Sequence, residues 1–285
     1  MTDIQTIAIA GAGTMGSGIA QVSASNGYKT LLFDINNDVL DQAKKSILNS
    51  LSFLVSKQKI SQDDSNRIFD SIIFTSNILD LKADLIIEAV IERIDIKHKF
   101  FQEVAAINSP NCILASNTSS IPITQIAAKI PNPERVLGIH FFNPAPIMKL
   151  VEIISGIQTK PEIALKCKAL IESMGKTCVM AADSPGFIVN RVARHFYVEG
   201  LKVLEENIAD YQTIDALMES SGFKMGPFKL MDLIGVDTNF SVTSSMYNLF
   251  HQDGKFRPSR IQQQKVDAGM NGKKSGKGFY SYESK

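Results

Sequence analysis

The sequence predicts an α/β Rossmann-type domain with a mostly parallel sheet over residues 1–183, followed by an all-α domain over 184–285. Three observations predict it. A GxGxxG turn joins a short apolar run to a helical pattern near the N-terminus. Strand and helix patterns then alternate along two thirds of the chain. After Asp183-Ser184-Pro185-Gly186 the strand patterns vanish and helical spacing takes over.

Taken in order, Ile7-Ala8-Ile9-Ala10 is apolar on both faces and stops at Gly11, as a buried parallel strand does. A helical pattern runs from the glycine turn to about Gly27, and Lys29 to Phe33 is a second apolar strand ending at Asp34, which completes a βαβ unit. From Asn36 to Lys57 the apolar residues Val39, Leu40, Ala43, Ile47, Leu48, Leu51 and Leu54 fall on one helical face. A shorter helix follows the cap-like Ser61-Gln62-Asp63-Asp64. Ser71–Thr75, Asp84–Val90 and Cys112–Ser116 read as strands, with Asp95–Ile107 helical between the last two. Val136–Phe142 and Lys149–Ile154 are two further strands, Pro161–Met174 a helix and Lys176–Ala181 a last strand. Ser184 is placed to cap a helix with Pro185 in its first turn. Phe187–Glu206, with Ile188, Val192, Phe196, Leu201 and Leu204, carries helical spacing, as do Ile214–Ser221 and Gly235–Phe250. The tail GKKSGKGFYSY reads as loop.

Composition narrows the function. A net charge of +1 with 21% charged residues argues against a nucleic-acid-binding surface over much of the chain. Cys112, Cys167 and Cys178 are widely spaced with no CxxC pair, so neither a metal knuckle nor a disulfide framework is expected. No apolar run has the length of a membrane span, and strand-like sequence begins at Ile4, leaving no room for a leader. The expectation is a reduced, cytoplasmic protein with no membrane and no metal.

Gly11-Ala12-Gly13-Thr14-Met15-Gly16 follows a strand and opens a helix, with Asp34 at the end of the next strand. In that context the glycines allow a pyrophosphate to approach the backbone, and the helix N-terminus faces it. A carboxylate at Asp34 accepts hydrogen bonds from ribose hydroxyls and repels a 2′-phosphate, so NAD is expected over NADP. His140 closes one apolar run, and Glu152 lies in the next, twelve residues on. A run that turned at Asn143-Pro144-Ala145-Pro146 and came back alongside would put the carboxylate on the imidazole. That is a general base with its orienting partner. Ser116-Asn117-Thr118-Ser119-Ser120, at another strand end, either contacts a ligand or caps the segment after Pro122. Asn190 and Arg191 interrupt an apolar helical stretch as a structural bridge or a substrate contact. His98, His195 and His251 lie on surface-like helical stretches and are expected to be structural.

GAGTMGSGIA, SNTSS, HFFNPAPIMKLVEI, SPGFIVNR, MGPFKLMDLIG and GKKSGKGFY, taken in order, resemble the short-chain 3-hydroxyacyl-CoA dehydrogenases, with the bacterial 3-hydroxybutyryl-CoA dehydrogenases nearest in length. The resemblance implies reversible NAD-dependent oxidation of an L-3-hydroxyacyl-CoA to a 3-ketoacyl-CoA. It also implies a helical C-terminal domain that builds a homodimer, with the active site between the domains. His140 would be the base and Glu152 its partner, with Ser119 and Asn190 on the reacting oxygen or thioester carbonyl. Glu92, Lys97, Asn117, Ser119 and Lys274 would join the glycine turn and Asp34 on the cofactor. Ser50 and Lys57, seven apart on the long second helix, would contact CoA; without the resemblance they read as a solvated face. Arg93 and Asp95 form a charge pair of their own beside Glu92. One alternative is a 3-hydroxyadipyl-CoA dehydrogenase, which needs an added cation such as Arg191 or Arg194. Another is a non-catalytic dinucleotide-binding relative, which has no physical need for all of His140, Glu152, Ser119 and Asn190.

Overall fold

The computed structural model describes residues 4–282; the outermost residues of both predicted domains, 1–3 and 283–285, lie outside them. The chain divides into two units, Met1–Ser184 and Pro185–Lys285.

The first unit is built on β1 (Thr6–Ala10), α1 (Thr14–Ser25), β2 (Lys29–Phe33), α2 (Asn37–Ser56), α3 (Gln62–Asp70), β3 (Ile72–Thr75), β4 (Leu85–Glu88), α4 (Ile94–Ile107), β5 (Ile113–Ser116), α5 (Ile123–Ala127), β6 (Val136–Phe141), β7 (Leu150–Ser155), α6 (Pro161–Ser173) and β8 (Thr177–Ala182). The eight strands form one sheet in the order β3-β2-β1-β4-β5-β6-β7-β8. Every neighbouring pair is parallel except β6–β7. The exception has a geometric cause. The connection from Phe141 to Leu150 is too short for a crossover, so the chain can only return antiparallel.

The continuous apolar strands are buried, as a sheet covered on both faces requires: β4 and β5 are buried at every position. α2 buries Leu40, Ala43, Ile47 and Leu51 on one stripe. Asn36 caps it by accepting from the Asp38 amide. α3 starts with a full capping box between Ser61 and Asp64. α5 is capped from afar: the amides of Ile123 and Thr124 donate to the two carboxylate oxygens of Asp183, each at 2.7 Å. That contact replaces the local cap considered for the Ser116–Ser120 segment.

The second unit holds α7 (Val189–Glu205), α8 (Tyr211–Ser220), α9 (Pro227–Ile234), α10 (Val236–Leu249) and α11 (Arg260–Asp267). Ser184 and Pro185 do not open α7. Gly186 and Phe187 take left-handed φ values of +72° and +49°, which break the helix path, and α7 begins only at Val189. The core joins Tyr197 and Leu201 of α7, Ile214 of α8, Phe228 and Met231 of α9, Val236 and Phe279.

The tail is not a free loop. Asp232, fully buried, accepts from the amides of Phe279 and Tyr280 and from the Tyr282 hydroxyl, each at 2.9 Å. Asp215 does the same for the amides of Phe228 and Lys229 and the Tyr280 hydroxyl. A Cβ at Gly278 would lie 2.0 Å from Asp232 Oδ1. Because three donors pin that carboxylate, Gly278→Ala should lower the unfolding free energy by about 1–3 kcal/mol. Urea denaturation checks this; an unchanged midpoint would mean the tail is not fixed by Asp232.

Candidate active site

The glycine turn leaves β1 at the sheet's reversal point, where β2 lies on one side and β4 on the other. Ligands of open α/β sheets bind at the carboxyl ends of strands at such a point. Each glycine has a separate cause. Gly11 has φ +93°, and a Cβ there would sit 2.6 Å from the Ala89 carbonyl oxygen. A Cβ on Gly16 would lie 1.7 Å from the Gly11 carbonyl oxygen. Gly13 has nothing within 4 Å of where its Cβ would be, so open space faces the backbone there. Gly13 is also the N-cap of α1 and has no side-chain cap. Between them, Ala12 is buried, Met15 half-buried and Thr14 exposed. The turn therefore offers a helix N-terminus and bare backbone to an anion, which fits a dinucleotide pyrophosphate.

Asp34 stands next to this turn. Its Oδ2 accepts from the Ala12 amide at 2.9 Å and its Oδ1 from the Asn36 amide at 3.0 Å. The carboxylate is thus fixed against the loop it is proposed to serve. Asp34→Ala should raise the KM for NAD by about 10- to 100-fold and relax discrimination against NADP. Initial-rate kinetics with both cofactors check this; unchanged constants remove Asp34 from the site.

At the ends of β4 and β5 lies a polar network. Lys97 is fully buried on α4, and its Nζ meets Glu88 Oε1 at 2.6 Å and Glu92 Oε2 at 3.0 Å. Glu88 also accepts from the Val90 amide and from Ser116 Oγ. Glu92 Oε1 accepts from the Thr118 and Ser120 hydroxyls and the Ser119 amide. Burial pushes the Glu88 carboxyl above its ordinary range, against the pull of Lys97 and Ser116. Burial also acts to raise Glu92, but Lys97 and the hydroxyls of Thr118 and Ser120 outweigh it and hold the carboxyl low. Lys97 therefore reaches the surface of the site through Glu92, which fixes the loop carrying Ser119. The Arg93–Asp95 pair is separate and exposed. Sequence reading passed over Glu88, Thr118 and Ser120 as partners of Lys97 and Glu92. The one local signal was the acid that ends the apolar run Leu85-Ile86-Ile87-Glu88.

Asn117 ties this loop to the next strand. Its amide donates to the Glu88 carbonyl at 2.7 Å, and its Oδ1 accepts from the Phe141 amide at 2.8 Å. Phe141 follows His140 directly. On β6, His140 faces Glu152 of β7 as a register partner, so both side chains share one face of the sheet. His140 Nδ1 lies 2.7 Å from Glu152 Oε2; the imidazole is 7% and the carboxylate 0% exposed. The Phe142 ring packs on the imidazole, centroids 4.5 Å apart. Such a carboxylate fixes the orientation and the tautomer of the ring.

The other expected residues are placed as follows. Ser50 is half-buried on α2, and Lys57 is its exposed C-cap, with Nζ 5.5 Å from the centre of the Phe53 ring. Asn190, half-buried in the first turn of α7, and Lys274, whose Nζ pairs with Asp237 Oδ1 at 2.7 Å, belong to the helical unit. His98 bonds the Gln125 carbonyl and His195 stacks on Phe256. All three cysteines are buried; burial pushes the thiols of Cys112 and Cys167 up to about 12 and that of Cys178 to about 11, so none is poised as a nucleophile. Among the described residues no group of histidine, cysteine, aspartate or glutamate is arranged to hold a metal, and no helix is long and apolar enough to cross a membrane.

The family profile described as "3-hydroxyacyl-CoA dehydrogenase, NAD binding domain" matches residues 6–184, and "3-hydroxyacyl-CoA dehydrogenase, C-terminal domain" matches residues 186–282. The chain is 47% identical to a 3-hydroxyadipyl-CoA dehydrogenase of Escherichia coli over its whole length, but spans only 60% of that protein. It is 40% identical to a probable 3-hydroxybutyryl-CoA dehydrogenase of Bacillus subtilis, with 99% of each chain covered. The crystal structure of (S)-3-hydroxybutyryl-CoA dehydrogenase from Ralstonia eutropha superposes with a TM-score of 0.94 at 38% identity, covering 99% of this chain and 100% of that one.

Proposed function

The chain belongs to the 3-hydroxyacyl-CoA dehydrogenase family, and from that premise we propose that it oxidises an L-3-hydroxyacyl-CoA reversibly to the 3-ketoacyl-CoA. The observation that carries the reading is the His140–Glu152 pair at 2.7 Å across β6 and β7. NAD, when bound at the glycine turn, supplies the acceptor for the hydride. Removing a hydride from C3 requires that the hydroxyl proton leave as well, and His140 takes it. Glu152 holds the ring and balances the imidazolium that forms. In reverse, the protonated ring returns its proton to the forming alkoxide. Ser119 hydrogen-bonds the reacting oxygen and Asn190 the thioester carbonyl. Ser50 and Lys57 contact CoA, with Lys57 as a point charge for a phosphate. Glu92, Lys97 and Asn117 keep the Ser119 loop in place for the cofactor, and Lys274 adds a contact from the tail.

The relatives' names divide between a four-carbon and a dicarboxylic six-carbon acyl group. We take 3-hydroxybutyryl-CoA as the base case, because a long CoA handle can orient a very small reacting group. A homodimer through the helical unit is supported by the exposed apolar side chains of Val192, Ile208, Leu217 and Leu233. A cytoplasmic location is supported by three cysteines left as free thiols. The test is to incubate the purified chain with racemic 3-hydroxybutyryl-CoA and NAD. The proposal expects acetoacetyl-CoA and NADH to form in equal amounts, from one enantiomer of the racemate alone. Failure to form NADH from either enantiomer sinks it.

A further inference from the structure

The network at the ends of β4 and β5 holds more negative charge than positive. One ammonium, that of Lys97, meets two carboxylates, Glu88 at 2.6 Å and Glu92 at 3.0 Å. Burial opposes the ionisation of Glu88, yet every partner it has is a donor: Lys97 Nζ, the Val90 amide and Ser116 Oγ. The Ser116 oxygen accepts from the Thr118 amide, so its own proton is the one directed at Glu88. That pattern suits a carboxylate, not a carboxylic acid. Glu92 is also surrounded by donors, the Thr118 and Ser120 hydroxyls and the Ser119 amide, and the positive end of α4 begins two residues after it. Arg93 and Asp95, exposed beside it, cancel each other. The network therefore carries a net charge of about −1.

A single carboxylate would suffice to pair Lys97. The second, Glu88, is fully buried and costly to desolvate, and the excess charge it creates calls for a use. The excess emerges at Glu92, whose side chain is 37% exposed while those of Glu88 and Lys97 are 0% exposed. Glu92 holds the Ser119 amide, and Asn117 of the same loop is bonded to Phe141, next to His140. The hydride acceptor belongs at this end of the site, because it must meet the carbon whose oxygen His140 and Ser119 hold. A nicotinamide ring is a cation when oxidised and neutral when reduced. An anion fixed beside it therefore distinguishes the two states by charge alone.

We propose that Glu88 is a positioning residue that acts through Lys97 and Glu92 to set the redox-state preference of the cofactor site, its excess negative charge favouring NAD over NADH. The proposal rests on the dehydrogenase reading and on Ser119 at the reacting oxygen. The test is calorimetric titration of NAD and of NADH into the purified full chain without acyl-CoA, for wild type, Glu88→Gln, Glu92→Gln and Glu92→Asp. The ratio of the Kd for NAD to the Kd for NADH should rise by about 3- to 30-fold in Glu88→Gln and in Glu92→Gln. In Glu92→Asp, which keeps the charge, it should stay close to wild type. A network that only braces the loop would weaken both forms alike and leave the ratio where it is. An unchanged ratio in Glu92→Gln overturns the proposal whether or not Glu88→Gln folds. So does a ratio that moves in Glu92→Gln but not in folded Glu88→Gln, since contact with Glu92 alone would then explain it. Unmoved ratios in variants that still turn over the acyl-CoA leave the dehydrogenase reading standing. A wild-type chain that binds neither NAD nor NADH overturns both.

Discussion

His140→Gln should lower kcat by about 10²- to 10⁴-fold while leaving NADH affinity close to wild type. Glutamine fills similar space on β6 and cannot accept and hold a proton. The separation of effects follows from where the groups sit. The proposed pyrophosphate and ribose contacts are on the glycine turn and Asp34, at the ends of β1 and β2, whereas His140 is on β6, three strands from β1 in the sheet. Fluorescence titration of NADH together with steady-state rates checks both halves. Near-normal turnover in a folded variant would mean that another group takes the proton.

Glu152→Gln should cost about 10²- to 10⁴-fold in kcat, with little change in the KM for the acyl-CoA. The carboxylate is fully buried directly opposite His140, so its replacement leaves the imidazolium without its counter-charge in a low-dielectric setting. The amide can also donate to Nδ1 and stabilise the wrong tautomer. Glu152→Asp keeps the charge but shortens the reach, so it should fall between the two. If Glu152→Gln instead raised KM and spared kcat, Glu152 would be a packing residue, not the partner of the base.

The parts of this molecule that sequence made legible are those written locally. The glycine turn, its flanking apolar strands and Asp34 lie within 28 residues, and Gly16 answers to the Gly11 carbonyl inside that unit and Gly11 to Ala89 just after β4. His140 and Glu152 were legible because the segment between their strands is too short for a crossover, which leaves an antiparallel return as the one geometry available. What was not legible depends on residues far apart in the chain. Asp183 caps α5 from about sixty positions downstream. The resemblance puts Lys97 on the cofactor side, but that its ammonium is held between two carboxylates depends on how β4 meets α4. Asp215 and Asp232 look like surface acids in helical sequence, yet each is buried under three donors. α9 and α11 are eight residues each, too short for apolar periodicity to stand out. The early start expected for α7 failed because two successive left-handed residues follow Pro185.

The central claim is tested most directly by following NADH oxidation by the purified chain with acetoacetyl-CoA, with NADPH run in parallel. The structure's account predicts rapid oxidation of NADH, slower oxidation of NADPH, and loss of both rates in His140→Gln. No oxidation of either cofactor, with this acyl-CoA or with longer and dicarboxylic ones, would contradict it and favour a dinucleotide-binding protein without catalysis.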